Sequence, residues 1–214
     1  MARDALKEAR KVQLMEATID CIAARGFAEL TLADVAKAAG LSVGIVNFYF
    51  RSKDVLLIET LRHLVADYIQ QTNENIRTAG PSAAAQVEAM IDSDFHRAIA
   101  NRKKVTVWYA FWGETRWRPE FLKICQQLSD SFHEETRAVF ARLIAEGGYG
   151  NVDPDLVARG FDAMIDGLWL DMLINPKAVE RDAAKQVVRT YLAGIFPNEF
   201  SRQSTGGAAK VATA

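Results

Sequence analysis

The chain has 214 residues, half of them hydrophobic and a quarter charged, with only 13 glycines and 5 prolines. This is ordinary globular composition, long enough to bury a core and unlike a disordered, collagenous or turn-rich all-β chain. Twenty-six basic against 27 acidic side chains leave a formal charge of −1, so there is no general case for a nucleic-acid partner and any such partner must be argued locally.

Cys21 and Cys125 are far apart, without Cys-x-x-Cys or Cys/His spacing beside them, which disfavours zinc and disulfide scaffolds; neither a metal nor a cofactor is expected. The charged start is unlike a signal peptide and no apolar run reaches membrane-spanning length, so the expected location is the cytoplasm, with no membrane partner.

Apolar residues recur at helical intervals almost throughout, which predicts an all-α fold. The first helix is expected over Ala5–Arg25, with Leu14, Ala17, Thr18, Cys21 and Ile22 on one stripe and Gly26 as its stop. Thr31 is a good N-cap for a short helix, Leu32–Ala39, closed by Gly40; Ser42 caps a second short helix reaching Tyr49. Ser52 and Asp54 open a long helix from Lys53 to Arg77. Beyond the break at Thr78–Ser82 come a helix over Ala83–Ala100, a polar joint at Asn101–Lys104 and an aromatic helix over Val105–Glu114. Pro119 opens a helix to Glu146, and Asp153 with Pro154 opens one ending near Asn175. A last helix is expected over Val179–Phe196, followed by a small, polar tail, Ser201–Ala214, that reads as flexible. The expected units are an N-terminal three-helix unit over 1–52, a larger helical unit over 53–200, and the tail 201–214.

Two short helices joined by a glycine-containing turn, Thr31 to Tyr49, fit the helix-turn-helix pattern, in which the second helix enters the major groove. From Gly40 to Lys53 there is no acidic side chain, while Ser42, Asn47, Tyr49, Arg51 and Lys53 can all donate hydrogen bonds. A phosphate backbone requires such a stretch. The plainer reading makes Phe48 and Phe50 core and Ser42 only a cap; Phe50 is assigned to the core.

The string from Thr31 to Leu57, with its Gly-Leu-Ser core, Tyr-Phe ending and Ser-Lys-Asp-x-Leu-Leu entry into the next helix, resembles the DNA-binding module of the TetR family of transcriptional regulators. The resemblance implies a homodimer whose N-terminal helices read an operator and whose C-terminal helical domain binds a small ligand and dimerises through its last two helices. It implies a groove-facing surface of Ser42, Val43, Gly44, Asn47 and Phe48, with Thr31, Tyr49 and Lys53 as phosphate anchors. Asn47 is the side chain best suited to a base edge, since an amide pairs with adenine.

Three of the four tryptophans lie close together, and Trp108, Phe111 and Trp112 share one helix face at i, i+3 and i+4. Such a face is ordinarily core. On another apolar helix Asp162, Asp166 and Trp169 follow at i, i+4 and i+7. Those carboxylates could pair with Arg116 or Arg118, stand exposed at a helix edge, or face a bound cation, which tryptophan rings also attract.

Trp-Tyr-Ala-Phe-Trp followed by Arg-Pro-Glu-Phe, and Ile-Asp-Gly-Leu-Trp-Leu, resemble the C-terminal domain of BetI-type regulators, the choline-responsive repressors of glycine betaine synthesis genes. The resemblance implies choline or a related quaternary amine as effector. It points to Trp108, Phe111, Trp112 and Trp169 as the cage and Asp166 as counter-charge, with Tyr109, Glu114 and Asp162 beside them.

The rival readings are a helical enzyme and a protein-interaction module without DNA binding. His63, His96 and His133 are scattered, and only Asp92 with His96 has i, i+4 metal-site spacing. No nucleophile motif, phosphate-binding loop or dinucleotide fingerprint is present, so no enzyme activity is expected.

Overall fold

Side-chain caps fix most of the helix starts. In the computed structural model, which describes residues 2–177 and 179–200, all regular structure is helical. The helices are α1 (Ala2–Arg25), α2 (Leu32–Ala38), α3 (Val43–Tyr49), α4 (Lys53–Thr78), α5 (Ala83–Asp94), α6 (Arg102–Glu114), α7 (Pro119–Gly147), α8 (Pro154–Ile174) and α9 (Arg181–Ile195). Thr31 and Asp34 form a reciprocal capping box on α2, and Ser42, Ser52 and Ser82 each accept a backbone N–H at the start of α3, α4 and α5. Gly26 and Gly40 end α1 and α2 at φ of 77° and 66°, the left-handed region that a Cβ disfavours. The tail 201–214 lies outside the described residues.

Helix α1 begins at Ala2 rather than Ala5, and three further boundaries differ from the sequence expectation by more than one residue. The helix expected over Ala83–Ala100 ends at Asp94, and residues 95–100 form turns in which Phe95, Ile99 and Ala100 are buried. The joint at Asn101–Lys104 is already the first turn of α6, because the Asn101 side chain accepts the Lys104 N–H at 2.9 Å. The last helix begins at Arg181 rather than Val179.

The apolar stripe of α1, Leu14, Ala17, Thr18, Cys21 and Ile22, is buried as its spacing requires. It packs α1 against α2, α4 and α6. Phe27, in the α1–α2 connection, meets Phe111 edge-on at 4.9 Å, and Phe111 meets Phe121 at 5.2 Å. These rings join the N-terminal helices to α6 and α7. Further along, Phe140 is fully buried between Phe161 and Phe196, with centroids at 5.5 and 5.9 Å; truncating such a ring to alanine costs about 3–5 kcal/mol. Helices α4 to α8 close around a cavity, and Phe161 of this cluster lines it. Among the described residues no helix is long and apolar enough to cross a membrane.

Candidate functional site

The seven residues of α3 are held by one anchor. Val46 is fully buried, whereas Ser42, Val43, Gly44, Ile45, Asn47 and Phe48 are exposed. Phe48 is 76% exposed, with Tyr49, half-buried, edge-on to it at 5.2 Å. An apolar ring left this bare costs solvation unless a partner covers it. A Cβ on Gly44 would meet only the Ser42 hydroxyl, at an ordinary 3.7 Å, so internal packing does not demand glycine there; its absence of side chain leaves a low place on the exposed face. Ile45, not among the residues expected on this surface, is 38% exposed there as well.

Around α3 the charges are unspent. Arg51 and Lys53 make no ion pair among the described residues. The Thr31 hydroxyl, by contrast, is committed to its cap: it donates to Asp34 and accepts the Asp34 N–H at 3.1 Å. That hydrogen bond, helped by Arg25 at 2.9 Å, holds the Asp34 carboxyl below the usual carboxylate range.

The second region is a cavity of about 360 Å³ among α4, α5, α6, α7 and α8. Aromatic rings form its walls: Tyr68 from α4, Trp108 and Trp112 from α6, Phe132 from α7, Phe161 and Trp169 from α8. Tyr68 is at their centre, 4.7 Å from Phe132, 6.0 Å from Trp169 and 6.1 Å from Trp108, and Trp108 lies 6.0 Å from Trp112. Three carboxylates face in, Asp94 from the end of α5 and Asp162 and Asp166 from α8, while no Lys, Arg or His lines the cavity among the described residues.

Each carboxylate has a different environment. Asp94 is buried, accepts the Tyr68 hydroxyl at 2.6 Å, and presents its main-chain oxygen to the Trp169 indole N–H at 2.9 Å. Burial pushes its pKa up to about 7; the Tyr68 hydrogen bond opposes the shift, and the charges of Asp166 and Asp162 add to it. Asp162 is tied to His133, whose ring contacts Asp162 and Asp155 at 2.9 Å each. Those two hydrogen bonds raise the His133 pKa. Asp166 has no protein partner among the described residues and is raised to about 6, chiefly by burial and then by Asp162. Its surface is exposed where it lines the cavity.

The structure thus brings together Trp108, Trp112, Asp162, Asp166 and Trp169, five of the ligand residues expected from sequence. The other three stand outside the cavity. Phe111 is fully buried against Phe27 and Phe121, because the i+3 position of that face turns toward α7. Glu114 binds Arg118 at 3.1 Å. Tyr109 braces the wall from behind, its hydroxyl donating to the Asp166 carbonyl and its ring 4.9 Å from Trp112. Neither suggested arginine reaches the acids: Arg118 is held by Asp54 and Glu114, and Arg116 stacks over Trp117 at 5.1 Å. Asp92 pairs with Lys185 and Arg189 rather than His96, and no metal-binding cluster occurs among the described residues.

The sequence expectation did not include Tyr68, Asp94, Phe132 or Phe161. Asp94 gave little sign, because Met-Ile-Asp-Ser-Asp-Phe over 90–95 is half polar. Tyr68 and Phe132 gave no local sign.

The family described as "BetI-type transcriptional repressor, C-terminal" matches residues 83–197, and "Bacterial regulatory proteins, tetR family" matches residues 14–60. The HTH-type transcriptional regulator BetI of Paraburkholderia xenovorans (strain LB400) is 31% identical over 196 residues, spanning 90% of this chain and 96% of that protein. This chain belongs to the TetR family and its C-terminal part is BetI-type. It is accordingly a DNA-binding transcriptional regulator and not an enzyme. The BetI regulator of Vibrio parahaemolyticus serotype O3:K6 is 32% identical over 195 residues, covering 90% of this chain and 94% of its own. Among solved TetR-like folds, a transcriptional regulator from Pseudomonas aeruginosa PAO1 superposes with a TM-score of 0.79 at 26% identity, over 91% of this chain and 94% of that one. A regulator from Saccharomonospora viridis, in complex with choline, shares the fold with a TM-score of 0.77 at 20% identity, over 86% and 96% of the two chains.

Proposed function

We propose that this TetR-family protein is a homodimeric repressor that binds a palindromic operator and senses choline or a related quaternary amine in the aromatic cavity. The observation that carries the reading is the cavity's composition: a box of aromatic rings with three inward carboxylates and no cationic side chain among the described residues. Such a box suits a cation that cannot donate hydrogen bonds, because ring faces supply electrostatic attraction without needing donors, at about 2 kcal/mol or more per desolvated contact. The choline-bound regulator of Saccharomonospora viridis and the BetI relatives support the same ligand class.

DNA reading falls to Ser42, Val43, Gly44, Asn47 and Phe48, with Tyr49 and Lys53 on the phosphates, in a unit spanning residues 1–52; Thr31 acts there through its cap. The rest, 53–200, holds the ligand and dimerises through α8 and α9. Calorimetry with choline tests the proposal. Trp112→Ala and Asp166→Asn should each weaken choline binding at least tenfold, about 1.4 kcal/mol, and both sites face the cavity, so the fold should survive. Trp108 is a poorer choice, because it is only 2% exposed and its loss would cost stability. Unchanged affinity in both variants would remove the cavity from the mechanism.

A further inference from the structure

A second cavity, about 720 Å³, lies between the α5–α6 connection, the start of α6, the end of α8 and the start of α9. Its chemistry is the reverse of the aromatic one. Arg97, Arg102, Arg181 and Lys185 line it, against Glu180 and Asp182. Lys185 is already neutralised, its ammonium 2.7 Å from Asp92. Arg97, Arg102 and Arg181 pair with no carboxylate among the described residues, and Glu180 and Asp182 are exposed.

Arg181 is the distinctive group. Its Nη2 donates to the Ala100 carbonyl at 2.9 Å, which ties the guanidinium to the α5–α6 connection. Its Nε is shielded from solvent and has no hydrogen-bond partner. A buried donor without an acceptor is unfavourable and calls for an explanation. Nε and Nη2 share one edge of the planar guanidinium, the edge that grips a carboxylate or phosphate with two parallel hydrogen bonds.

We propose that this cavity binds a small oxyanion onto which Arg181 turns its Nε–Nη2 edge, closed to solvent in this conformation, with Arg97 and Arg102 supplying further positive charge. The site is separate from the aromatic cavity: the end of α5 divides them, Asp94 lining one and its neighbour Phe95 the other. The two ligands are therefore of opposite charge.

The test uses the full chain with inorganic phosphate and with succinate, each compared with sodium chloride at equal ionic strength, by thermal shift and calorimetry. Saturable stabilisation by either oxyanion beyond chloride is expected. Tighter phosphate binding identifies a phosphate ester as the ligand class, and tighter succinate binding a carboxylate. Arg181→Gln should weaken binding at least tenfold, and Arg181→Lys should also weaken it, since a lysine keeps the charge without the fork. Should the Arg181 variants fail to fold, the double variant Arg97→Gln with Arg102→Gln, both exposed, should lower affinity several-fold. The proposal is overturned if neither oxyanion stabilises the chain more than chloride does, or if the folded variants bind as tightly as the parent.

Discussion

Asp94 and Asp166 carry the cavity's most informative chemistry because their protons are held more tightly than an ordinary carboxylate's. Burial raises both above the usual 3.8, to about 7 and about 6, so the folded chain binds extra protons between about pH 4 and pH 7, and this contribution to stability falls as pH rises through that window. Cation binding follows the opposite sign, since a cation favours the ionised acids and expels their protons. Choline affinity should therefore climb from about pH 5 to about pH 8 and then level, by up to about tenfold per pH unit for each proton released. The other groups around the acids act in the same direction or not at all. The Tyr68 phenol is pushed further up by burial and stays neutral; His133, raised by Asp155 and Asp162, loses its charge with rising pH and leaves the region more negative. Calorimetry in buffers of different ionisation enthalpy would count the protons, and Asp94→Asn should flatten the upper part of the profile. A flat profile in the parent protein would mean that the cation does not meet these carboxylates.

At the scale of elements, α6 connects the two functions. Its Trp108 and Trp112 wall the cavity, while Lys103 binds Asp20 of α1 at 2.9 Å and Lys104 binds Asp67 of α4. At its other end Glu114 holds Arg118, which reaches Asp54 at 2.6 Å in the first turn of α4, next to Lys53. A ligand that shifts α6 therefore pulls on both helices that support the DNA-reading unit. Allosteric couplings of about 1–3 kcal/mol change affinity 5- to 150-fold. Arg118→Gln should lower thermal stability only slightly, since exposed ion pairs are worth about 0–1 kcal/mol, but should shrink the effect of choline on operator affinity. Operator binding measured by fluorescence anisotropy with and without choline would show it; an undiminished response would leave the coupling to the Lys103–Asp20, Lys104–Asp67 and Phe27–Phe111 contacts. The stretch Asn101–Lys104, expected as a polar joint, is the N-cap and first turn of α6. Asn101, a cap recognisable in the sequence, was the missed signal.

At the scale of the whole molecule, α8 exposes a continuous stripe of apolar and small residues. Leu156, Ala163, Gly167, Leu170 and Ile174 are exposed at alternating spacings of three and four beyond the first turn, and Leu156 and Ile174 are 67% and 64% exposed. Val187 of α9 is 48% exposed as well. Gly160 on the same run lies under the Tyr191 hydroxyl of α9, 2.7 Å from where a Cβ would stand, which explains its glycine. Small residues allow helices to approach closely, and a two-fold pairing through α8 and α9 would cover this surface and set two α3 helices about 34–36 Å apart, one DNA turn. Ile174→Asp should leave the monomer folded, shift sedimentation to the monomeric mass, and lower operator affinity. A dimer that persists would move the interface elsewhere. The near-neutral charge of −1 gives no bulk attraction to DNA, so affinity rests on local features such as the acid-free stretch Gly40–Lys53, and the proposed pairing would add to it.

The sequence by itself determined the helices, the short pair around Gly40 and the family, because caps, glycines and 3.6-residue periodicity act between neighbours and leave a local record. It also marked Trp108, Trp112, Asp162, Asp166 and Trp169, which sit on two helices whose apolar faces are conspicuous. Only the tertiary structure decided which way each ring faced. Phe111, one turn from Trp108, went to the joint with α7, while Tyr68, Asp94 and Phe132 arrived at the cavity from three other helices. A cavity is enclosed by elements far apart in the chain, and the carboxylate pKa values follow from that enclosure, so neither the full lining nor its charge state is encoded in any single segment.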